Sequence, residues 1–270
     1  MKNKLFILFF LLFLCPNIIF AYYPTQKKKI KITATTSNIA TLIKEICKDK
    51  VNVTTIIPAT LCPYNYDADA KTIKKISNSN IIIYHSWQQE WMNDLKYKIT
   101  NLGIVYRQLQ TEENLMIPYI NLQAANEFFE LISIWDKDNK AFYEKNFLDY
   151  TFKINFICEQ IKKNGYKRHN KKVVCHSKLK TFMEWLGFDV VMIYGKPDKL
   201  SSLDLAKISK KIKENNVKYI VDNLQVGTDI GRTLSKKLNV KQIVISNFAL
   251  GNSYINTLKN NIKKIDNALE

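Results

Sequence analysis

The histidines His85, His169 and His176 and the cysteines Cys47, Cys62, Cys158 and Cys175 are side chains of this 270-residue sequence whose types can hold a borderline or soft metal. Imidazole and thiolate suit zinc or copper(I), and a carboxylate suits zinc. Histidine is scarce, three in all, so each one counts. No CxxC pair exists, which excludes a zinc ribbon or a thioredoxin motif. GxSxG, HExxH, the P-loop and GxGxxG are also missing, so no recognised hydrolase, metalloprotease or nucleotide chemistry is written here. An enzyme is not expected.

Structural roles compete for the same residues. Cys175 alternates with His176 along one strand and is expected to face the core. His169 lies inside Lys167–Lys172 and is expected in a solvated loop. His85 is either a ligand or a hydrogen-bonded strand-end residue. Cys62 is a ligand, a disulfide partner or an inert thiol. Beyond the N-terminal segment Cys47, Cys62, Cys158 and Cys175 remain, and an even number in an exported chain permits disulfides.

The elements that must position these groups alternate. Residues 30–36 and 51–57 are β-branched strands, and Asn80–Tyr84 is an apolar one with His85 at its carboxyl end. Between them the Ile39, Leu42, Ile43 and Ile46 spacing predicts a helix, and Ala70–Ser77 a second. From Leu122 the pattern turns helical, with Ala124–Trp135 and then Lys140–Asn164, about 37 Å if unbroken. A second alternation follows: strands at Val173–Cys175, Asp189–Ile193, Lys218–Val221 and Gln242–Ile245, with helices between and a terminal helix Tyr254–Ala268. The fold class is therefore α/β, two lobes with mainly parallel sheets flanked by helices, joined by one long backbone helix. The expected division is a signal peptide at 1–21, an N-terminal lobe at 22–121, a helical segment at 122–165 and a C-terminal lobe at 166–270.

The formal charge is +17, but only Arg107, Arg168 and Arg232 are arginines among 41 basic residues. Base-edge readers favour the bidentate arginine fork, and these lysines are scattered, so nucleic acid is not an expected partner. Met1-Lys2-Asn3-Lys4 followed by the apolar run Leu5–Leu14 has the form of a signal peptide, with cleavage expected after Ala21. The protein is expected to be exported, periplasmic or at the cell surface, and either released or tethered by an uncleaved N-terminal segment.

Three stretches carry a family resemblance: Lys31–Leu95 with the loop Pro63-Tyr64-Asn65-Tyr66-Asp67, residues 136–151, and Val173–Gly195 with His176. In order and spacing they resemble the substrate-binding proteins of zinc/manganese ABC transporters, the cluster with a rigid linking helix, over about residues 30–270. The resemblance implies a binding protein, expected as a monomer, that delivers a transition-metal ion or a metal complex to a membrane permease. Zinc is the first expectation, with manganese or copper as others. The alternative is a family member that binds no metal and acts on a non-metal ligand or as an interaction protein.

The family's four ligands do not all survive. Its first two histidines fall on Tyr64 and Tyr119, its third on His176, a carboxylate near Asp222, and its last acid about Ser246. A neutral phenol is a poor ligand, with a pKa near ~10. His85 and Cys62 are the substitutes the chain offers, giving a candidate metal set of His176, Asp222, His85 and Cys62. Tyr64, Tyr119, Trp87 and Asn65 are the candidate wall of a ligand pocket, with Trp91, Tyr66 and Gln225 nearby. The aromatics among them are read equally as lobe-interface packing.

Overall fold

The structure, a computed structural model, describes residues 28–111, 114–251 and 253–270. The expected signal peptide at 1–21 lies outside the described residues. Among the described residues no helix is long and apolar enough to cross a membrane.

The first lobe is built from β1 (Ile30–Ala34), α1 (Ser37–Cys47), β2 (Val51–Thr55), α2 (Ala70–Ile76), β3 (Ile81–His85), α3 (Gln89–Lys98) and β4 (Val105–Leu109). Its sheet is all parallel in the order β2-β1-β3-β4. Every residue of β3 is buried, which is why it reads as an unbroken apolar run rather than an alternating one. Ile39, Leu42, Ile43 and Ile46 of α1 are all fully buried, forming the stripe that their spacing predicts.

Two helices follow, α4 (Pro118–Trp135) and α5 (Lys140–Lys163). Proline stands at the first position of α4, where its missing N–H costs nothing. The helix therefore starts before Ala124, and the residues just short of the expected lobe boundary at 121 belong to it. At 24 residues α5 is about 36 Å long. It buries Tyr143, Tyr150, Ile154, Ile157 and Ile161. Tyr143 was not expected there; its hydroxyl donates to Asp136 at 2.6 Å, so the phenol is paired as it is buried.

The second lobe has β5 (Lys172–His176), α6 (Lys180–Trp185), β6 (Asp189–Tyr194), α7 (Ser202–Glu214), β7 (Tyr219–Asn223), α8 (Asp229–Leu238), β8 (Lys241–Ile245) and α9 (Tyr254–Leu269). Its parallel sheet runs β6-β5-β7-β8, the same pattern as the first. One apolar core runs from β1 and α1 through α4 and α5 into β5, β7, β8 and α9. The lobes thus share packed side chains with the linking helices, and such an interior has discrete arrangements rather than continuous play.

Two polar anchors hold this frame. Arg168, 1% exposed, meets Asp266 of α9 through Nε at 2.8 Å and Nη2 at 2.6 Å, while Nη1 donates to the Ile161 carbonyl. It sits in a segment that reads as a solvated loop in sequence. Tyr150 donates to Asn121 Oδ1 at 2.6 Å across α4 and α5.

A candidate inter-lobe ligand site

Parallel α/β sheets place ligands at the carboxyl ends of their strands. A cavity of about 520 Å³ lies between the lobes and is lined from such ends in both sheets. His85 closes β3, His176 closes β5, Asn223 closes β7, and Lys196 and Asn247 follow β6 and β8 within two residues. Cys62, Tyr64 and Trp87 form the first-lobe wall.

His176 is 3% exposed. Its Nδ1 accepts the backbone N–H of Lys178 at 3.1 Å, and its ring meets the Tyr194 ring edge-on at 5.7 Å. Its Nε2 has no hydrogen-bond partner. A neutral imidazole carries one proton, so the nitrogen that accepts leaves the other as an N–H donor. Burial first, then the ammonium groups of Lys178 and Lys196, push its pKa down to about 4.

His85 is placed on the cavity but is already saturated. Nε2 meets Thr36 Oγ1 at 2.9 Å and Nδ1 meets Thr111 Oγ1 at 3.0 Å. Its ring stacks on Trp87 at 4.9 Å, and burial lowers its pKa to about 3. A metal there would have to displace a hydroxyl.

Asp222 is placed behind the cavity rather than on it. Tyr194 donates to Oδ1 in a short bond, Gln242 donates to Oδ2 at 2.6 Å, and the Gly231 N–H reaches Oδ1 at 3.2 Å. A Cβ on Gly231 would stand 1.9 Å from Oδ2, so α8 packs against this carboxylate through the absence of a side chain. Burial raises the pKa of Asp222, against these hydrogen bonds, and burial together with the carboxylate raises that of Tyr194. The structure brings His176, His85 and Cys62 to one cavity and leaves Asp222 out of it.

Tyr119 is 55% exposed on the first turn of α4 and does not line the cavity. Trp91 and Tyr66 pack in the first lobe, the indole N–H donating to the Tyr66 carbonyl at 2.9 Å. Ser246, at the family's last acidic position, accepts from Gln225 and donates to the Phe248 carbonyl, both at 2.7 Å. Cys47, Cys62, Cys158 and Cys175 are free thiols. Burial raises the pKa of Cys175 to about 12, so it is an inert core thiol. Among the described residues no group of three or more His, Cys, Asp and Glu is placed to hold a metal ion.

The lobes are latched over the cavity. Lys178 Nζ donates to the Tyr64 hydroxyl at 2.8 Å and lies 4.4 Å from that ring's centroid, and Tyr64 stacks on Trp87 at 4.8 Å. Lys196 donates to Asn65 Oδ1 in a short bond, and Gln225 to the Ala59 carbonyl at 2.7 Å. Beneath, Asn38 of α1 bonds the Asn247 carbonyl at 2.9 Å and the Ala249 N–H at 2.7 Å, while Asn114 reaches Asn247 Oδ1 at 2.8 Å. Asn38, Asn114, Asn247, Lys178 and Lys196 were not singled out from sequence. All but Asn38 and Asn114 lie within two residues of a second-lobe strand end, the position that made His85 a candidate.

The family described as "Zinc-uptake complex component A periplasmic" matches this chain over residues 32–115 and 118–268. A manganese ABC transporter substrate-binding lipoprotein PsaA of Streptococcus anginosus is 26% identical, over 91% of both chains. The high-affinity zinc uptake system protein ZnuA of Bacillus subtilis is 23% identical, over 89% of this chain and 88% of its own. The periplasmic zinc binding protein TroA from Treponema pallidum has the same fold, with a TM-score of 0.77 at 16% identity over 90% of this chain and 99% of that one. With nearly all of its described residues matched, the chain belongs to the zinc-uptake complex component A family of periplasmic binding proteins.

Proposed function

We propose that this chain is the extracytoplasmic substrate-binding protein of an ABC transporter, taking transition-metal cargo of the zinc or manganese class into the inter-lobe cavity and handing it to a membrane permease. The observation that carries this is the cavity itself: strand ends of two like-built lobes face one chamber, and the contacts that seal it join side chains of one lobe to the other. In this reading the two α/β lobes stand on either side of α4 and α5, which act as a strut that keeps closure modest. His176 and Cys62, one from each lobe, are the metal-capable groups on the wall, and Tyr64 and Trp87 are its aromatic side. The protein works as a monomer, exported through its N-terminal segment.

The test is elemental analysis of the purified mature protein, with a thermal-shift screen over zinc, manganese, copper, iron and nickel, each as a simple salt and as a carboxylate complex. Binding at a hundred times Kd is expected to add about 2.7 kcal/mol to stability. No bound metal and no shift with any of these would overturn the proposal.

A further inference from the structure

The cavity wall has the wrong charge for a bare divalent cation. Among the described residues it holds Lys178, Lys196 and Lys199 and no Asp or Glu. No ion pair among the described residues involves any of these three lysines. Lys178 and Lys196 are met instead by neutral groups, the Tyr64 phenol and the Asn65 amide. The His176 imidazole on the same wall is 3% exposed and carries its proton on the buried, unpartnered Nε2, because Nδ1 accepts from the Lys178 backbone. An N–H without a partner and ammonium groups on a wall that holds no carboxylate are donors that ask for oxygen acceptors carrying negative charge. A volume of about 520 Å³ is also far more than an ion needs; organic ligands occupy pockets of roughly 300–1,000 Å³.

Resting on the reading of this cavity as the cargo site, we infer that the cargo enters as an anionic complex of the metal, whose carboxylate-type oxygens accept from His176 Nε2–H and pair with Lys178 and Lys196. The protein then recognises the complexing molecule, and the metal needs few ligands from the chain. Two histidine positions of the family can be tyrosine under this arrangement, since Tyr64 packs against Trp87 and orients Lys178 rather than coordinating.

Titration calorimetry on the mature protein tests this with four probes: zinc chloride, zinc nitrilotriacetate (a monoanion with outward carboxylate oxygens), the dicationic zinc complex of tris(2-aminoethyl)amine, and metal-free nitrilotriacetate. The anionic zinc complex is expected to bind at least about ten-fold more tightly than the dicationic one or zinc chloride. In the K178Q/K196Q double variant, whose side chains lie at the surface end of the site, that preference is expected to vanish while the unfolding midpoint holds. Zinc chloride binding as tightly as the anionic complex would overturn the inference and leave the metal-transport reading standing. Metal-free nitrilotriacetate binding as tightly as its zinc complex would uphold the anion site and overturn the metal cargo. Binding of none of the four would overturn both.

Discussion

The backbone N–H of Lys178 points at Nδ1 of His176, 3.1 Å away, and that one contact decides what the imidazole offers to the cavity. Metal-bound histidines typically donate from their second nitrogen, to a carbonyl or carboxylate, which frees the first as a lone pair. Here the second nitrogen accepts. The ring therefore carries its proton on Nε2, the nitrogen left without a partner. Long-range proton–nitrogen correlation at pH 7 should find His176 as the Nε2–H tautomer, and a ring protonated at Nδ1 would contradict this.

Acid stability should follow the buried histidines. His85 is held to a pKa of about 3 by burial, below its ordinary 6.5. Between these values the unfolded chain binds the proton that the folded chain refuses, so stability is complete above about pH 6.5 and falls as pH drops toward 3. Each such group steepens the dependence by at most about 1.4 kcal/mol per pH unit. Denaturation midpoints of H85N should decline less over that window than those of the parent; an equal decline would show that His85 does not titrate as its burial implies.

Asp222 should matter for folding more than for cargo. D222A strands Tyr194 and Gln242 without their shared acceptor, an expected loss of about 1–3 kcal/mol. G231A forces a methyl against the same carboxylate and should lose about 3 kcal/mol. In D222N, calorimetry should find zinc nitrilotriacetate affinity within about three-fold of the parent, well under the loss of roughly 1.5–3 kcal/mol that a lost charged contact brings. A loss of a hundred-fold would return Asp222 to the binding wall.

Removing one partner of the Arg168–Asp266 pair leaves a charge that is 1% exposed. D266A should therefore lose about 3 kcal/mol in chemical denaturation, by detaching α9 from the end of α5. A change below about 0.5 kcal/mol would mean that the pair behaves like an ordinary surface bridge.

The latch predicts a kinetic effect. Y64A removes the acceptor and the ring face from Lys178 at a site that is 48% exposed. Stopped-flow release of the anionic zinc complex should quicken by about ten-fold, with the unfolding midpoint of the free protein little changed. Equal release rates would show that the Lys178–Tyr64 contact does not hold the lobes closed.

Most of the architecture was legible because it is local. The period of α1, the apolar run of β3 and the length of α5 follow from burial on a stripe, on both faces, or along one side. The start of α4 was missed because Pro118 opens a helix as readily as it ends a strand. The site was legible only at strand ends. His85 follows from that rule and His176 from the family resemblance, and Asn223, Lys196 and Asn247 satisfy the rule as well. The spent state of Asp222 was not legible, since Tyr194 and Gln242 reach it from 28 and 20 residues away, and no periodicity reports such a meeting. Nor was the exposure of Tyr119, which depends on which face of α4 turns to solvent. The free state of the four thiols is a matter of three-dimensional distance that a cysteine count leaves open.

Anomalous diffraction at the zinc edge, from crystals of the mature protein grown with zinc nitrilotriacetate, addresses cargo, place and chemistry together. One strong peak is expected inside the inter-lobe chamber, with carboxylate oxygens rather than the metal next to His176 Nε2 and the lysine ammonium groups. A peak bonded directly to His85, His176 and Asp222 in the manner of a bare ion, or one outside the chamber, would contradict it.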